Sequence, residues 1–160
     1  INSKKKKLLI LDEIRKVLKQ QNKNLIIEKF ISNIFLQLRV KKINSLNNEI
    51  DKKISWSKVK KLISSNLFTI GGHSHRHISL TSVPLLEAKI EIDTSIKLFK
   101  RNIGINLEHY SYPEGQKKDF NIEIKKYLKK KGIKICPTAI SGFNNIKSDL
   151  FNLKRISIDV

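Results

Sequence analysis

Apolar residues recur at helical spacing from the start of the chain. Leu8, Leu11, Ile14, Val17 and Leu18 form one stripe, and Ile26, Phe30 and Ile34 form a second, flanked by Ile27, Ile31, Phe35 and Leu38. Recurrence at three and four residues collects side chains on one face of an α-helix. Asn22-Lys23-Asn24 interrupts the pattern, so the first 48 residues read as two helices. Neither Gly nor Pro occurs before Gly71, which suits helices and disfavours a strand-rich start.

Residues 47–53 form a polar connection, and Ser55 stands where it can cap a helix through Trp56, Val59, Leu62 and Ile63. The character then changes. Leu67-Phe68-Thr69-Ile70 reads as a short strand closed by Gly71-Gly72. The spacing of Leu85, Ala88, Ile92, Ile96 and Phe99 predicts an amphipathic helix over 84–100 with those residues inward. His109-Tyr110-Ser111-Tyr112 reads as a strand ending at Pro113-Glu114-Gly115. A helix over 121–131 follows, with Gly132 to end it, and then strands over 133–139 and 153–158. Strands that alternate with helices imply βαβ units and an α/β fold, a parallel sheet or barrel. In such folds chemistry gathers at the C-terminal ends of the strands.

Length and charge change this picture little. The 160 residues suffice for one domain with a core. The formal charge of +19 invites a polyanion-binding or nucleic-acid reading. However, 28 of the 33 basic residues are Lys and only 5 are Arg, the residue preferred for bidentate phosphate and base contacts. The Lys are spread along the chain and accompanied by 26 Ile and 14 Asn, the signature of an AT-rich coding sequence. A basic polyanion-binding helical module is therefore the alternative, and no nucleic-acid partner is expected. Cys136, the single cysteine, excludes an intrachain disulfide and reads as a small buried hydrophobe. No run of about 18 apolar residues predicts a membrane span. Location stays open between bacterial cytoplasm and cell envelope. The chain has no Met, begins at Ile1 and stops inside a strand-like stretch, so a piece of a longer protein is expected.

Gly71-Gly72-His73-Ser74-His75-Arg76-His77 carries the most chemistry, with three of the four His within five residues after a predicted strand. Zinc and similar ions favour imidazole ligands, and two His four apart can point the same way from one helical turn. The Gly pair lets the backbone turn sharply. A zinc-peptidase helix would need Glu where Ser74 stands. If His73 and His77 share a face, His75 points elsewhere and the third ligand comes from another element. The bland alternatives are an exposed polar loop here and an ordinary turn at Pro113-Glu114-Gly115.

The stretch from Ile70 to Leu80 resembles the second motif of the polysaccharide deacetylases with the NodB homology domain: His, Ser or Thr, two variable residues, His, then Leu. Trp56-Ser57-Lys58-Val59 resembles the helix before it, and Tyr110-Ser111-Tyr112-Pro113-Glu114-Gly115 resembles the third motif. Residues 138–144 with Asp149, Leu153, Lys154, Arg155 and Ile156 resemble the stretch after that. The resemblance implies an α/β fold, here a partial distorted (β/α)7 TIM-like barrel. Residues 54–160 would be its core, incomplete at both ends, and residues 1–53 a helical insertion. It implies a metal-dependent hydrolase that removes N-acetyl or similar acyl groups from a polysaccharide or sugar conjugate. His73 and His77 would be two ligands of a divalent metal, zinc by default, and Ser74 would hold the loop. The Glu114 N–H, with Tyr112 and Pro113, would form the oxyanion and substrate loop.

Three departures qualify that reading. The opening Asp-Asp motif, source of the general base and the third ligand, is absent. Leu9-Ile10-Leu11-Asp12-Glu13 lacks the following Gly and lies within a helical pattern, so the motif is expected upstream of Ile1. Glu114 stands where Tyr is common. Ser111 stands where some members have a base-orienting Arg, a role Arg155 could fill unless it merely pairs with Asp149. The general acid His is expected downstream of Val160. The chain alone is therefore expected to be inactive, with a non-catalytic carbohydrate-binding relative as a further alternative.

Overall fold

The computed structural model describes residues 3–20, 24–37, 39, 52–156 and 158. Helix α1 spans Lys4–Gln20 and helix α2 Asn24–Gln37. Ser3 opens α1, its Oγ accepting from the Lys6 N–H at 3.2 Å. No acidic residue offsets the four lysines of the first turn, which face the positive end of the helix dipole. Of the expected stripes, Leu8, Leu11 and Val17 are exposed and Ile14, Ile34 and Phe35 half-buried, while the side chains of Leu18, Ile26, Ile27 and Leu38 lie outside the description. The Asn22-Lys23 break and most of the 47–53 connection lie outside the described residues. The chain divides into two compact units, Ile1–Lys52 and Lys53–Val160.

The second unit contains helices α3 (Trp56–Ser64), α4 (Leu85–Ile103) and α5 (Ile122–Lys130). Ser55 caps α3 through the Lys58 N–H at 3.3 Å, and Asn121 caps α5 through the Ile124 N–H at 2.9 Å. Each cap satisfies an amide that a helix start leaves without a partner. Pro84 precedes α4, where its fixed φ suits a helix entrance, and Gly104 ends the helix with a left-handed φ of 95°. The Gly132 N–H bonds the Lys129 carbonyl at 3.0 Å, closing α5 as its sequence predicts.

Helix α4 packs against both α3 and α5. Its inward face is the expected one: Ala88, Ile92 and Phe99 are buried, with Leu85 and Ile96 packed against them. The core continues through Val59, Leu107, Tyr110, Tyr112, Ile124, Leu128, Cys136 and Phe151. Trp56 meets Phe99 edge to face at 6.4 Å. Cys136 is the buried hydrophobe its surroundings predict, and burial pushes its thiol up to about 12.

Extended segments lie side by side between the helices, joined by single parallel bridges: Gly72 with Tyr110, His109 with Ile135, and Ser141 with Arg155. The Gly72 N–H donates to the His109 carbonyl and the Ser111 N–H to the Gly72 carbonyl, both at 2.9 Å. The Tyr110 N–H donates to the Ile135 carbonyl at 2.9 Å, and the Thr138 N–H to the Leu153 carbonyl at 2.8 Å. Parallel neighbours linked by α4 and α5 make the unit α/β.

The strands themselves differ from expectation. Leu67 and Phe68 are 83% and 53% exposed and unpaired, so pairing falls at Gly72 instead of at 67–70. The shift follows from Gly72 itself: a Cβ there would lie 2.3 Å from the Tyr110 ring. Only a residue without a side chain lets the two backbones close. Among the described residues, the stretches at 109–112, 133–139 and 153–158 likewise pair at isolated positions and form no continuous ladder.

Ile92 is 0% exposed, whereas Ile90 on the same helix is 55% exposed. Ile92→Ala is expected to cost about 2–4 kcal/mol by urea denaturation. Ile90→Ala is expected to stay within about 0.5 kcal/mol.

Candidate metal centre

The His-rich stretch leaves Gly72 as an irregular loop. Ser74 and His77 both take left-handed backbone angles, with φ of 56° and 57°. The pair is therefore not presented by one helical turn, as the four-residue spacing suggested. Two residues in a conformation that L side chains seldom adopt fold the loop back on itself. The result still brings the two rings together, their centroids 4.8 Å apart and their planes at 64°.

Three anchors hold that loop. The Ser74 N–H donates to the Tyr110 hydroxyl at 2.8 Å, and the Ser74 Oγ accepts from the Ile78 N–H at 3.1 Å, a local bond of the kind the motif resemblance implied. The Tyr110 hydroxyl lies 3.1 Å from Ser95 Oγ, whose own proton goes to the Ile92 carbonyl, so the phenol donates to the serine. Burial pushes Tyr110 up to about 12, keeping that proton in place. The third anchor is Glu91, 2% exposed on the inner face of α4. One carboxylate oxygen accepts from the backbone N–H of both His75 (3.1 Å) and Arg76 (2.8 Å), and the other from Arg76 Nε at 2.6 Å.

His73 is oriented from the neighbouring segment. Its Nδ1 lies 3.0 Å from the Ser111 carbonyl and 2.7 Å from the Ser111 hydroxyl. In the tautomer whose Nδ1 donates to the carbonyl, Nε2 keeps the free lone pair that a metal-ligating His requires. Burial lowers the His73 pKa first of all. The Ser111 carbonyl raises it, His77 and Arg155 lower it, and Glu114 raises it. His73, His77, Glu114 and Arg155 thus share one electrostatic neighbourhood. His75 is exposed and its backbone belongs to Glu91. Among the described residues no third His, Cys, Asp or Glu joins the pair to complete a ligand set.

Tyr112, Pro113 and Glu114 lead out of the second extended segment. The Tyr112 hydroxyl donates to the Phe151 carbonyl at 3.1 Å and the ring stacks on Phe120 at 4.4 Å. Glu114 and Gly115 both take left-handed angles, with φ of 61° and 64°. A Cβ on Gly115 would lie 2.7 Å from the Ala139 nitrogen, so the loop presses against the third segment. The Glu114 N–H has no partner among the described residues. Arg155 donates from Nε to the Thr138 carbonyl at 2.8 Å, whereas Asp149 faces Lys125 at 3.6 Å. The two therefore go to different partners. Beside His73 and Ser74 opens a cleft of about 610 Å³ lined by Trp56, Val59, Phe99 and Leu107.

Glu91 and the buried Asp119 are the residues the motifs overlooked. Asp119 accepts from Ser79 Oγ at 2.7 Å and from the Gln116 N–H at 2.9 Å, tying the His loop's exit to the Pro-Glu-Gly loop. One signal for Glu91 was present: it lies three residues after Ala88 and beside Ile92, on the inward arc of α4.

A family model for polysaccharide deacetylases matches residues 29–136, and the chain belongs to that family. The match starts upstream of residue 54, where the motif resemblance begins. In backbone the chain is similar to the Streptococcus pyogenes deacetylase PplD in complex with acetate, with TM-score 0.60 and 17% identity, over 71% of this chain and 48% of that one. It is also similar to the BpsB deacetylase domain from Bordetella bronchiseptica, with TM-score 0.58 and 17% identity over 66% and 49%. A third neighbour is IcaB from Ammonifex degensii, with TM-score 0.57 and 18% identity over 68% and 49%. The chain spans about half the length of these three structures, and at such identities the likeness is one of fold. No curated protein sequence matches the chain.

Two outcomes follow. In the metal-free protein the His73 ring is expected to titrate below 6.5, as read by NMR of the imidazole nitrogens. A depressed folded pKa means that the unfolded chain takes up the proton first. His73 therefore removes stability as pH falls from 6.5 through its folded midpoint. Glu91→Ala is expected to destabilise the protein by about 2–4 kcal/mol, because two backbone amides lose their acceptor. Hydrogen exchange at His75 and Arg76 should accelerate more than in α5.

Proposed function

We propose that the chain is the metal-binding part of a hydrolase that removes N-acetyl groups from a polysaccharide or related glycan. The observation that carries this reading is the facing His73–His77 pair, 4.8 Å between ring centroids, in a chain of the polysaccharide deacetylase family. The donor set fits a divalent ion of the zinc type: two imidazoles, one held with its Nε2 lone pair free and its pKa lowered. His73 and His77 would hold the ion, with an Asp from outside the described residues as third ligand. When bound, such an ion supplies Lewis acidity toward an amide carbonyl and makes water a competent nucleophile near neutral pH.

The chain's own residues do the positioning. The Glu114 N–H, unpartnered and turned by two left-handed residues, is the donor for an oxygen on which negative charge develops. Tyr112 and Pro113 fix that loop from behind, Tyr112 through Phe151 and Phe120. Arg155 is tied at Nε to Thr138 and lies near enough to His73 to lower its pKa, as a residue that orients a carboxylate base would. The base, an Asp, and the general acid, a His, also lie outside the described residues. On this reading the chain alone does not turn over substrate. The wider architecture we propose is a distorted (β/α)7 barrel, with residues 1–53 inserted into it.

Zinc calorimetry on the purified chain tests the pair. Binding weaker than about 0.1 µM is expected, short of a complete site, and abolished by His73→Ala or His77→Ala. Zinc binding that survives both substitutions would sink the reading. Tight binding would contradict the missing third ligand.

A further inference from the structure

A second depression, of about 490 Å³, is lined by three lysines: Lys117, Lys125 and Lys154. No carboxylate lines it; the remaining wall is Phe120, Ile140, Ser141 and Asn152. In a chain rich in lysine, three in proximity mean little unless they are placed. Here each stands on fixed backbone. Lys117 sits in the turn closed by Asp119, which takes the Gln116 N–H at 2.9 Å. Lys154 is clamped by Asn144, which accepts its N–H at 2.9 Å and donates to its carbonyl at 2.8 Å. Lys125 rises from α5 with only 14% of its side chain exposed, its ammonium 5.1 Å from the Phe120 ring centroid.

The charge is not neutralised from within. Lys125 has one long contact, 3.6 Å to the half-exposed Asp149. Lys117 and Lys154 have no acidic partner among the described residues. Three lysines line the pocket and one distant carboxylate faces a single one of them, so an incoming anion meets positive charge that nothing else offsets. Phe120 and Ile140 add an apolar wall, and Ser141 and Asn152 add hydrogen-bonding groups. That mixture accepts a sugar ring bearing a negative charge better than it accepts a free ion. The depression adjoins the candidate site along the chain. Lys117 follows Glu114 by three residues, Lys154 adjoins Arg155, and Gln116 Nε2 donates to the Ala139 carbonyl at 3.3 Å between them.

The geometry points to an anion subsite: the depression binds a phosphate or carboxylate group on the glycan chain whose neighbouring sugar enters the His73–His77 centre. The inference rests on the deacetylase reading for its glycan, and it names an anionic glycan as the substrate class.

The test is an NMR titration of the whole isotopically labelled chain with N-acetylglucosamine 1-phosphate, N-acetylglucosamine and inorganic phosphate. The phosphosugar is expected to shift the amides of Lys117, Ser141 and Lys154 and to bind more tightly than either other probe. Lys117→Gln with Lys154→Gln should weaken it about fivefold, the sum of two modest ion pairs. Lys58→Gln with Lys60→Gln on α3 removes the same charge and should leave affinity unchanged. Equal loss in both double variants, or equal binding of inorganic phosphate and phosphosugar, overturns the subsite. Unaltered urea midpoints check that the variants fold. The two readings fail separately: His73→Ala should abolish zinc binding yet retain the phosphosugar, whereas the lysine variant should keep zinc binding and weaken the phosphosugar.

Discussion

The buried carboxylate of Glu91 is the contact on which the centre depends. It sits on α4, the helix that packs against both α3 and α5, and its two oxygens collect two backbone amides and one guanidinium from the loop that carries the histidines. A buried charge is costly without partners and binding when fully satisfied. Here that cost fixes geometry. The loop could satisfy its amides with water, but only by leaving Glu91 stranded in the core. Because α4 also supplies Ile92 and Phe99, core packing and loop position become one condition.

The second extended segment completes the arrangement from the opposite side. Tyr110 fills the space that Gly72 vacates and reaches Ser74 with its hydroxyl, and the next residue, Ser111, orients His73. Tyr112, one residue further, faces the core in turn. Within three consecutive residues, alternation along an extended chain sends two aromatic rings inward and one serine toward the imidazole. The closeness of the two histidines is thus a product of strand neighbours far apart in sequence.

Much of this was legible beforehand, for identifiable reasons. Helices α3, α4 and α5 carry periodic apolar faces, with recognisable caps in Ser55 and Gly132, and each forms within a few residues of its expected bounds. The order of motifs pointed to the family that the model over 29–136 shows. The strands were harder. An apolar run such as Leu67-Phe68 signals burial only if something lies above it, and among the described residues both side chains stay exposed. The pairing position was decided by a glycine whose importance depends on a tyrosine 38 residues away. The backbone of the His loop was opaque too: nothing in Ser74 or His77 announces a left-handed angle, so their spacing suggested a helical turn. Glu91 escaped notice because a glutamate in an amphipathic helix ordinarily belongs to the wet face.

Among the described residues the segment through Gly72 pairs on one side, and that has a colloidal consequence. Gly72 spends both backbone groups on the 109–111 segment, and the segment's other edge borders a cleft walled by Trp56, Phe99 and Leu107. An open edge beside apolar surface is a template for pairing with another chain. What opposes self-association is long-range repulsion between copies that each carry a formal +19, and salt shortens its reach to about 8 Å at physiological strength. The dispersed lysines thereby act together as one charge that holds copies of the chain apart.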